Sequence, residues 1–517
     1  MILKNFLTKV TAFTVLLFSA CSPGMKSQPA IKNLPNIIFI YLDDLGYGDV
    51  GAYGATEIKT PNMDKLVNGG LKFTNGYATS STCTPSRYAL LTGTYPWRNK
   101  DAKILPGTAP LLIDTNQLTL PAMLRDKGYY TGVIGKWHLG LGDGNTNWNT
   151  NISPGPNEVG FNYSYILAAT QDRVPTVYIK NGDVAGLDPN DPILVDYSRN
   201  FEGEPTALDH PELLKMKWHH GHNNSIVNGI PRIGFMKGGD AAKWVDEDMA
   251  DVFLQEAKNF IHSNKEKTFF LYYALQQPHV PRTPNARFVG ASGMGPRGDV
   301  IVEADWCIGE LLKTLEMEGL TESTLIFFSS DNGPVLNDGY YDDAVEKLGK
   351  HKPAGPLRGG KYSLFEAGAR VPFAMYWKGK IKPGVSDAIV CQVDLLSSLA
   401  ALVNSAKKGP DSKNLLNAFM GKSKKGREEL IIEASSKTAL RKDNWVLIPP
   451  YPGPAKNAEV NIELGNSQEY QLYNLKDDPG QQNNLTKSNP DKLKEMIDTY
   501  HRIRGENSVE IKELKLE

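Results

Sequence analysis

Asn36-Ile37-Ile38-Phe39-Ile40-Tyr41-Leu42 is a continuous apolar run, bounded by Pro35 before it and Asp43-Asp44 after it. A short run of this kind, rich in β-branched and aromatic residues, suits a strand buried on both faces of a parallel sheet. GYYTGVI at 128–134, TFFLYYAL at 268–275 and STLIFFSS at 323–330 read the same way. Between them lie amphipathic stretches. Residues 248–262 place Met249, Val252, Phe253, Ala257, Phe260 and Ile261 near helical spacing, and 302–317 does likewise. Strands that alternate with helices predict an α/β fold: a large, mostly parallel sheet with helices on both faces.

The rest of the chain fits a globular enzyme-sized protein. Of its 517 residues, 40% are hydrophobic and 22% charged, which excludes a disordered chain, a collagen-like fibre and a multi-pass membrane protein. Its 57 basic and 58 acidic residues nearly cancel, so no basic footprint predicts nucleic-acid binding. Cys21, Cys83, Cys307 and Cys391 are scattered; they form neither a disulfide framework nor a CxxC zinc pair.

Lys4 and Lys9 form a basic region before a short, mostly apolar stretch, Val10 to Phe18, too short to span a bilayer but suited to an export signal. The signal is predicted over residues 1–20. Phe18-Ser19-Ala20-Cys21 resembles the lipobox of bacterial lipoproteins, which implies a lipid anchor at Cys21 and a periplasmic or cell-surface location. Residues 21–35 read as a tether. A catalytic domain is expected over 36–410, with insertion loops at about 145–240, where Asn, Gly, Pro and His crowd out periodicity. From about 411 to 517 the pattern changes. Residues 438–441, 445–448 and 471–475 look like antiparallel strands, and 492–504 like a closing helix, so a smaller C-terminal α+β domain is expected.

Two strand ends carry paired oxygen donors. Asp43-Asp44 follows the first buried run and Asp331-Asn332 follows the fourth. Ligands in open α/β sheets gather at the carboxyl ends of strands. Either pair alone reads as a helix or turn cap. Two pairs at equivalent positions would crowd carboxylates together unless a cation neutralised them. Oxygen-only donors favour a hard ion, Ca²⁺ or, second, Mg²⁺.

Ser81-Thr82-Cys83-Thr84-Pro85-Ser86-Arg87 precedes Tyr88-Ala89-Leu90-Leu91-Thr92-Gly93. Thr84 suits a helix cap, Pro85 a first turn and Gly93 a helix end, which sets Cys83 at an anion-attracting helix N-terminus. Its polar neighbours argue against burial.

C-T-P-S-R followed by L-T-G resembles the signature of type I sulfatases, the formylglycine-dependent branch of the alkaline phosphatase superfamily. Other segments in order resemble that family too: Leu42-Asp43-Asp44-Leu45-Gly46, Thr60-Pro61-Asn62-Met63-Asp64, Gly135-Lys136-Trp137-His138-Leu139-Gly140, Pro278-His279-Val280-Pro281, Ser330-Asp331-Asn332-Gly333, Leu357-Arg358-Gly359-Gly360-Lys361 and the run from Glu366 to Pro372. Leu472 to Pro479 resembles the family's C-terminal domain.

The resemblance implies an alkaline phosphatase-like fold and a mechanism. A separate maturing enzyme would oxidise Cys83 to formylglycine, whose hydrated aldehyde is the nucleophile. Asp43, Asp44, Asp331, Asn332 and the modified Cys83 would ligate the cation. Arg87 would steady residue 83, and Lys136 and Lys361 would clamp sulfate oxygens. His279 would be the acid for the leaving alcohol, and His138 would take the proton that releases the covalent sulfate. The implied substrate is a sulfated extracellular glycan, with a lean to galactose or N-acetylgalactosamine 6-O-sulfate over other sulfated sugars. Asp172, Arg173 and His222, in the insertion, are the candidate sugar-binding residues. A phosphatase or phosphonate hydrolase of the superfamily would more often use Thr or Ser as nucleophile, and C-x-P-S-R argues against it.

Overall fold

A computed structural model of the protein describes residues 34–505. The export signal, Cys21 and all but the last two residues of the tether lie outside the described residues. The central sheet has ten strands: β1 (Asn36–Leu42), β2 (Leu71–Phe73), β3 (Tyr130–Lys136), β4 (Tyr163–Leu167), β5 (Tyr178–Lys180), β6 (Asp183–Val184), β7 (Phe269–Ala274), β8 (Thr324–Ser330), β9 (Phe373–Tyr376) and β10 (Gly384–Ser386). Their order is β10-β2-β9-β8-β1-β7-β3-β4-β5-β6. From β8 to β4 every neighbour is parallel, while β9 runs antiparallel to both β8 and β2, and β5 and β6 are antiparallel additions.

Alternation along each strand splits the core in two. Ile37, Phe39 and Tyr41 join Phe270 and Tyr272 on one face; Ile38, Ile40 and Leu42 join Leu271 and Tyr273 on the other. The first face is covered by α1 (Cys83–Thr92) and a later helix, and the second by α2 (Met249–Asn264) and α3 (Gly295–Met317). All residues of β1, β7 and β8 are buried, which is why those runs carry no polar alternation.

Two sequence expectations shift. Helix α3 begins at Gly295 rather than 302: Pro296 opens it, and buried Arg297 and Asp299 in its first turns hide the apolar stripe. The 145–240 segment is not loop throughout, because Tyr163–Leu167 pairs in parallel with β3 and a hairpin extends the sheet beyond it. Past residue 410, β11 (Glu429–Ala434), β12 (Lys437–Lys442), β13 (Trp445–Ile448) and β14 (Gln471–Asn474) form an antiparallel sheet, followed by a helix at Pro490–Arg504. Strand β11 was not foreseen. It is joined to the segment that leads into Cys83: Ser81 N–H donates to the Glu433 carbonyl at 2.8 Å, and Glu433 N–H to the Thr79 carbonyl at 3.1 Å.

Candidate active site

Four adjacent parallel strands deliver the candidate residues at their carboxyl ends. Leu42 of β1 is the register partner of Ser330 of β8, so Asp43-Asp44 and Asp331-Asn332 leave the sheet at one level. Lys136 ends β3, with His138 two residues on, and His279 follows β7. Gly135 allows this: its backbone is left-handed (φ 110°), and a Cβ there would lie 1.9 Å from the Ala274 carbonyl oxygen.

The four oxygen-bearing residues interlock. Asn332 Nδ2 donates to Asp44 Oδ1 at 2.6 Å, and the Asp44 N–H donates to Asp331 Oδ1 at 3.3 Å. Asp43 Oδ1 and Asn332 Oδ1 are buried and accept no hydrogen bond among the described residues. Asp43, Asp44 and His279 offer ligand atoms all within 4.8 Å of one another. Unsatisfied buried oxygens with no sulfur among these donors suit a hard divalent cation.

Cations ring this cluster. Lys136 Nζ bonds Asp43, and Lys361 Nζ lies 2.9 Å from both Asp44 and Asp338. Arg87, wholly buried, donates through Nε and Nη2 to Asp331 Oδ2 at 2.9 and 2.8 Å, and through Nη1 to the Lys136 carbonyl at 3.1 Å. Residues 83 and 87 are four apart on α1 and so share a helix face. Cys83 Sγ sits 3.3 Å from His138 Nδ1. The thiol also feels Lys136, Lys361, Asp43 and Asp331. The cysteine and the oxygen quartet therefore meet in space. Two local expectations are corrected. Thr82, not Thr84, is the N-cap, and the Thr84 hydroxyl instead bonds the His138 carbonyl at 3.0 Å. Cys83 is only 2% exposed, because every residue of α1 is buried beneath the site.

Residues 35–405 match the sulfatase family. The chain belongs to this family. The sulfatase is 49% identical over 496 residues to N-acetylgalactosamine-6-O-sulfatase of Bacteroides thetaiotaomicron, covering 95% of this chain and 97% of that protein. It is 31% identical over 482 residues to human arylsulfatase A, covering 88% of this chain and 84% of that one. A solved structure from work on glycosaminoglycan metabolism in Bacteroides thetaiotaomicron aligns with TM-score 0.90 at 48% identity, covering 91% of this chain and 99% of that chain. The sulfatase is thus a sulfuric ester hydrolase on an alkaline phosphatase-like fold. Formylglycine and a divalent metal are general features of its family.

Hydrogen bonding assigns the two site histidines. His138 Nε2 faces the Leu105 carbonyl at 2.9 Å and must donate, which leaves Nδ1 bare toward residue 83. His279 Nδ1 faces the Val280 carbonyl at 2.7 Å, which leaves Nε2 bare, 3.9 Å from Asp44. Burial first, then Lys136 and Arg173, keeps the His138 ring well below the usual imidazole range. Burial, then Lys361 and Lys136, does the same for His279. Burial also raises Asp43, with Asp331 adding to the effect, and it raises Asp44. Burial alone would raise Asp331, but Arg87 and then Lys136 hold it below the ordinary carboxylate value. Asp44, His138 and Tyr362 adopt left-handed backbone (φ 64°, 53° and 72°), strain on the order of 1–3 kcal/mol each, which tends to cluster at working sites.

A cavity of about 650 Å³ opens above Cys83, within the range of small-ligand sites. Asp172, Arg173 and His222 line it. Asp172 accepts from Arg173 Nη1 at 3.2 Å and from His222 Nε2 at 2.8 Å, and His222 Nδ1 faces the His220 carbonyl at 2.8 Å. Burial would raise Asp172, but Arg173 and then His222 hold it well below the carboxylate range. Asp338, Tyr362, Tyr197 and Glu433 also line the cavity and carry no signal in the sequence. Asp338 and Glu433 lie outside any motif, and only the fold brings them here.

Proposed function

We propose that the enzyme removes 6-O-sulfate from N-acetylgalactosamine or galactose in extracellular glycans. Supporting this, its Bacteroides relative at 49% identity is named N-acetylgalactosamine-6-O-sulfatase and aligns along nearly its whole length. The Asp172–Arg173–His222 cluster beside the cavity suits sugar hydroxyls, because it pairs a buried carboxylate with guanidinium and imidazole groups. Export through residues 1–20 and a lipid anchor at Cys21 complete the reading, with a separate maturing enzyme acting on Cys83.

Asp43, Asp44, Asp331 and Asn332, with the modified residue 83, would hold the divalent cation, Ca²⁺ before Mg²⁺. The two unpartnered oxygens and the all-oxygen donors of this quartet support that assignment. When bound, the cation neutralises the crowded carboxylates and polarises the oxygens it touches, and formylglycine at 83 supplies a hydroxyl nucleophile. Lys136 and Lys361 turn from Asp43 and Asp44 to the sulfate oxygens, placing fixed positive charge where charge gathers during S–O cleavage. Arg87 fixes Asp331 and braces residue 83 from the same helix face. His138 accepts a proton at its bare Nδ1 from residue 83. Burial lowers His279 most, and an anionic ester between Lys136 and Lys361 offsets the part that the two lysines add. The free Nε2 of His279 is the atom placed to hand a proton to the leaving alcohol.

The test is a panel of regiodefined sulfated mono- and disaccharides presented to the matured enzyme, read as released sulfate. The reading expects turnover of 6-O-sulfated N-acetylgalactosamine or galactose. Turnover confined to 4-O- or 3-O-sulfates, or to N-acetylglucosamine 6-O-sulfate, overturns it.

A further inference from the structure

The cavity has a second wall that the mechanism does not use. Glu433, Ser435 and Ser436 line it from the C-terminal sheet, facing a cavity shared with the Asp172 cluster of the insertion. Glu433 is 2% exposed, and its Oε2 has no hydrogen-bond partner among the described residues. Its backbone is bonded to Ser81 and Thr79, two to four residues before Cys83, so residue 433 is anchored to the segment that leads into Cys83, and both line one cavity. Native proteins rarely leave a buried carboxyl oxygen unsatisfied, and such an atom beside a cavity points to a ligand.

The turn adds an independent observation. Ala434 pairs with Lys437, so Ser435-Ser436 is a two-residue hairpin loop, and both residues have left-handed backbone (φ 48° and 68°). Such turns favour Asn-Gly because other side chains strain there. Two serines in place of glycine, both half-buried at the cavity, keep hydroxyls that the turn itself does not need.

We propose that the hairpin residues Glu433, Ser435 and Ser436 form a specificity-determining wall that donates hydrogen bonds to an acceptor on the sugar. This acceptor is the acetamido carbonyl of an N-acetylhexosamine or a ring hydroxyl. The proposal rests on the saccharide substrate proposed above. A carboxylate here would repel a sulfated ligand, whereas a carboxylic acid donates to it. Burial pushes the Glu433 carboxyl up to about 8, against the Ser436 N–H and Arg504. It therefore carries its proton at neutral pH. Arg504, on the closing helix, is the charged group that acts on it.

The experiment measures kcat and KM of the matured wild type, Glu433→Leu, Glu433→Gln and the double variant Ser435→Gly/Ser436→Gly. The substrates are 6-O-sulfated N-acetylgalactosamine, 6-O-sulfated galactose and an aryl sulfate. The glycines relieve the turn, so that variant tests the hydroxyls without threatening the fold. Expected is a rise in saccharide KM of about tenfold for Glu433→Leu and severalfold for the double glycine variant, with a smaller change on the aryl sulfate. Glu433→Gln, which keeps a donor, restores most of the affinity. The wild-type saccharide KM climbs above pH 8 as the acid ionises, and the Gln variant does not follow. A loss confined to the N-acetylated sugar identifies the acetamido group; an equal loss on both sugars identifies a hydroxyl. Saccharide KM unchanged in every variant, or kcat falling alike on saccharide and aryl sulfate, overturns the proposal alone. A wild type that cleaves the aryl sulfate but no saccharide overturns the substrate reading and this wall with it.

Discussion

Arg87 meets Asp331 through two nitrogens on a single carboxylate oxygen, at 2.9 and 2.8 Å, with both side chains fully buried. The pair ties the helix that carries Cys83 to the strand end that carries half of the oxygen quartet. Arg87→Ala leaves a buried carboxylate without its counter-charge, and denaturant unfolding should show a loss of about 3–5 kcal/mol. Arg87→Lys should not rescue it, because a single ammonium does not reproduce the guanidinium fork. Wild-type stability in either variant would show the pair to be dispensable.

The oxygen quartet predicts cation dependence. Chelation should abolish sulfate release, and added Ca²⁺ should restore it. Asp43→Asn and Asp44→Asn should weaken Ca²⁺ binding by at least about 100-fold in titration calorimetry. Unaltered Ca²⁺ affinity in both variants would remove these residues from the metal site.

Lys136 bonds a carboxylate in this arrangement, yet it stands where sulfate charge must be met. Lys136→Ala should lower kcat by about 10²–10³ with KM changed far less, the pattern of a transition-state contact. A pure KM effect in steady-state kinetics would make it a binding residue only.

Asp172 and His222 are bonded to each other and buried beside the cavity. Replacing either by Ala should reduce kcat/KM on the saccharide by about 10–100-fold, since a charged hydrogen bond is lost and its partner left unpaired. An aryl sulfate, which has no sugar hydroxyls, should report a much smaller change. Equal losses on both substrates would assign the pair a structural role.

Glu303 gives a pH signature away from the metal ligands. Its carboxyl accepts from Asn285 N–H at 3.0 Å, and burial pushes it up to about 7. An unfolded glutamate titrates near about 4.3, so the folded chain keeps this proton longer. The stabilisation is complete below the unfolded value and is lost as pH rises through about 7, a swing of about 4 kcal/mol. Glu303→Gln should flatten the stability profile between those limits in melts taken across pH. A profile identical to wild type would contradict the assignment.

The sheet centre was legible because its strands are buried on both faces. Asn36–Leu42 and Thr324–Ser330 therefore read as unbroken apolar runs with oxygen donors at their ends. Cys83, Lys136, His279 and Lys361 were legible from motifs, each set at a strand end, helix start or tight turn. Burial of Cys83 was not, since Thr82 and Thr84 beside it are polar yet satisfied by interior partners, the Ser80 hydroxyl and the His138 carbonyl. Nor was Tyr163–Leu167, a short strand among Asn and Gly whose pairing with β3 depends on a distant segment. Asp338 and Glu433 carried no local signal: one gains meaning from Lys361 and the other from the cavity, and both contacts exist only after folding.

The account turns on residue 83 as the reacting group. Its most direct test is the mass of the Cys83 peptide from enzyme that is actively releasing sulfate after co-expression with a maturing enzyme. The prediction is loss of one sulfur and two hydrogens with gain of one oxygen, in proportion to activity across preparations. Full activity from enzyme whose Cys83 remains an intact thiol would contradict it.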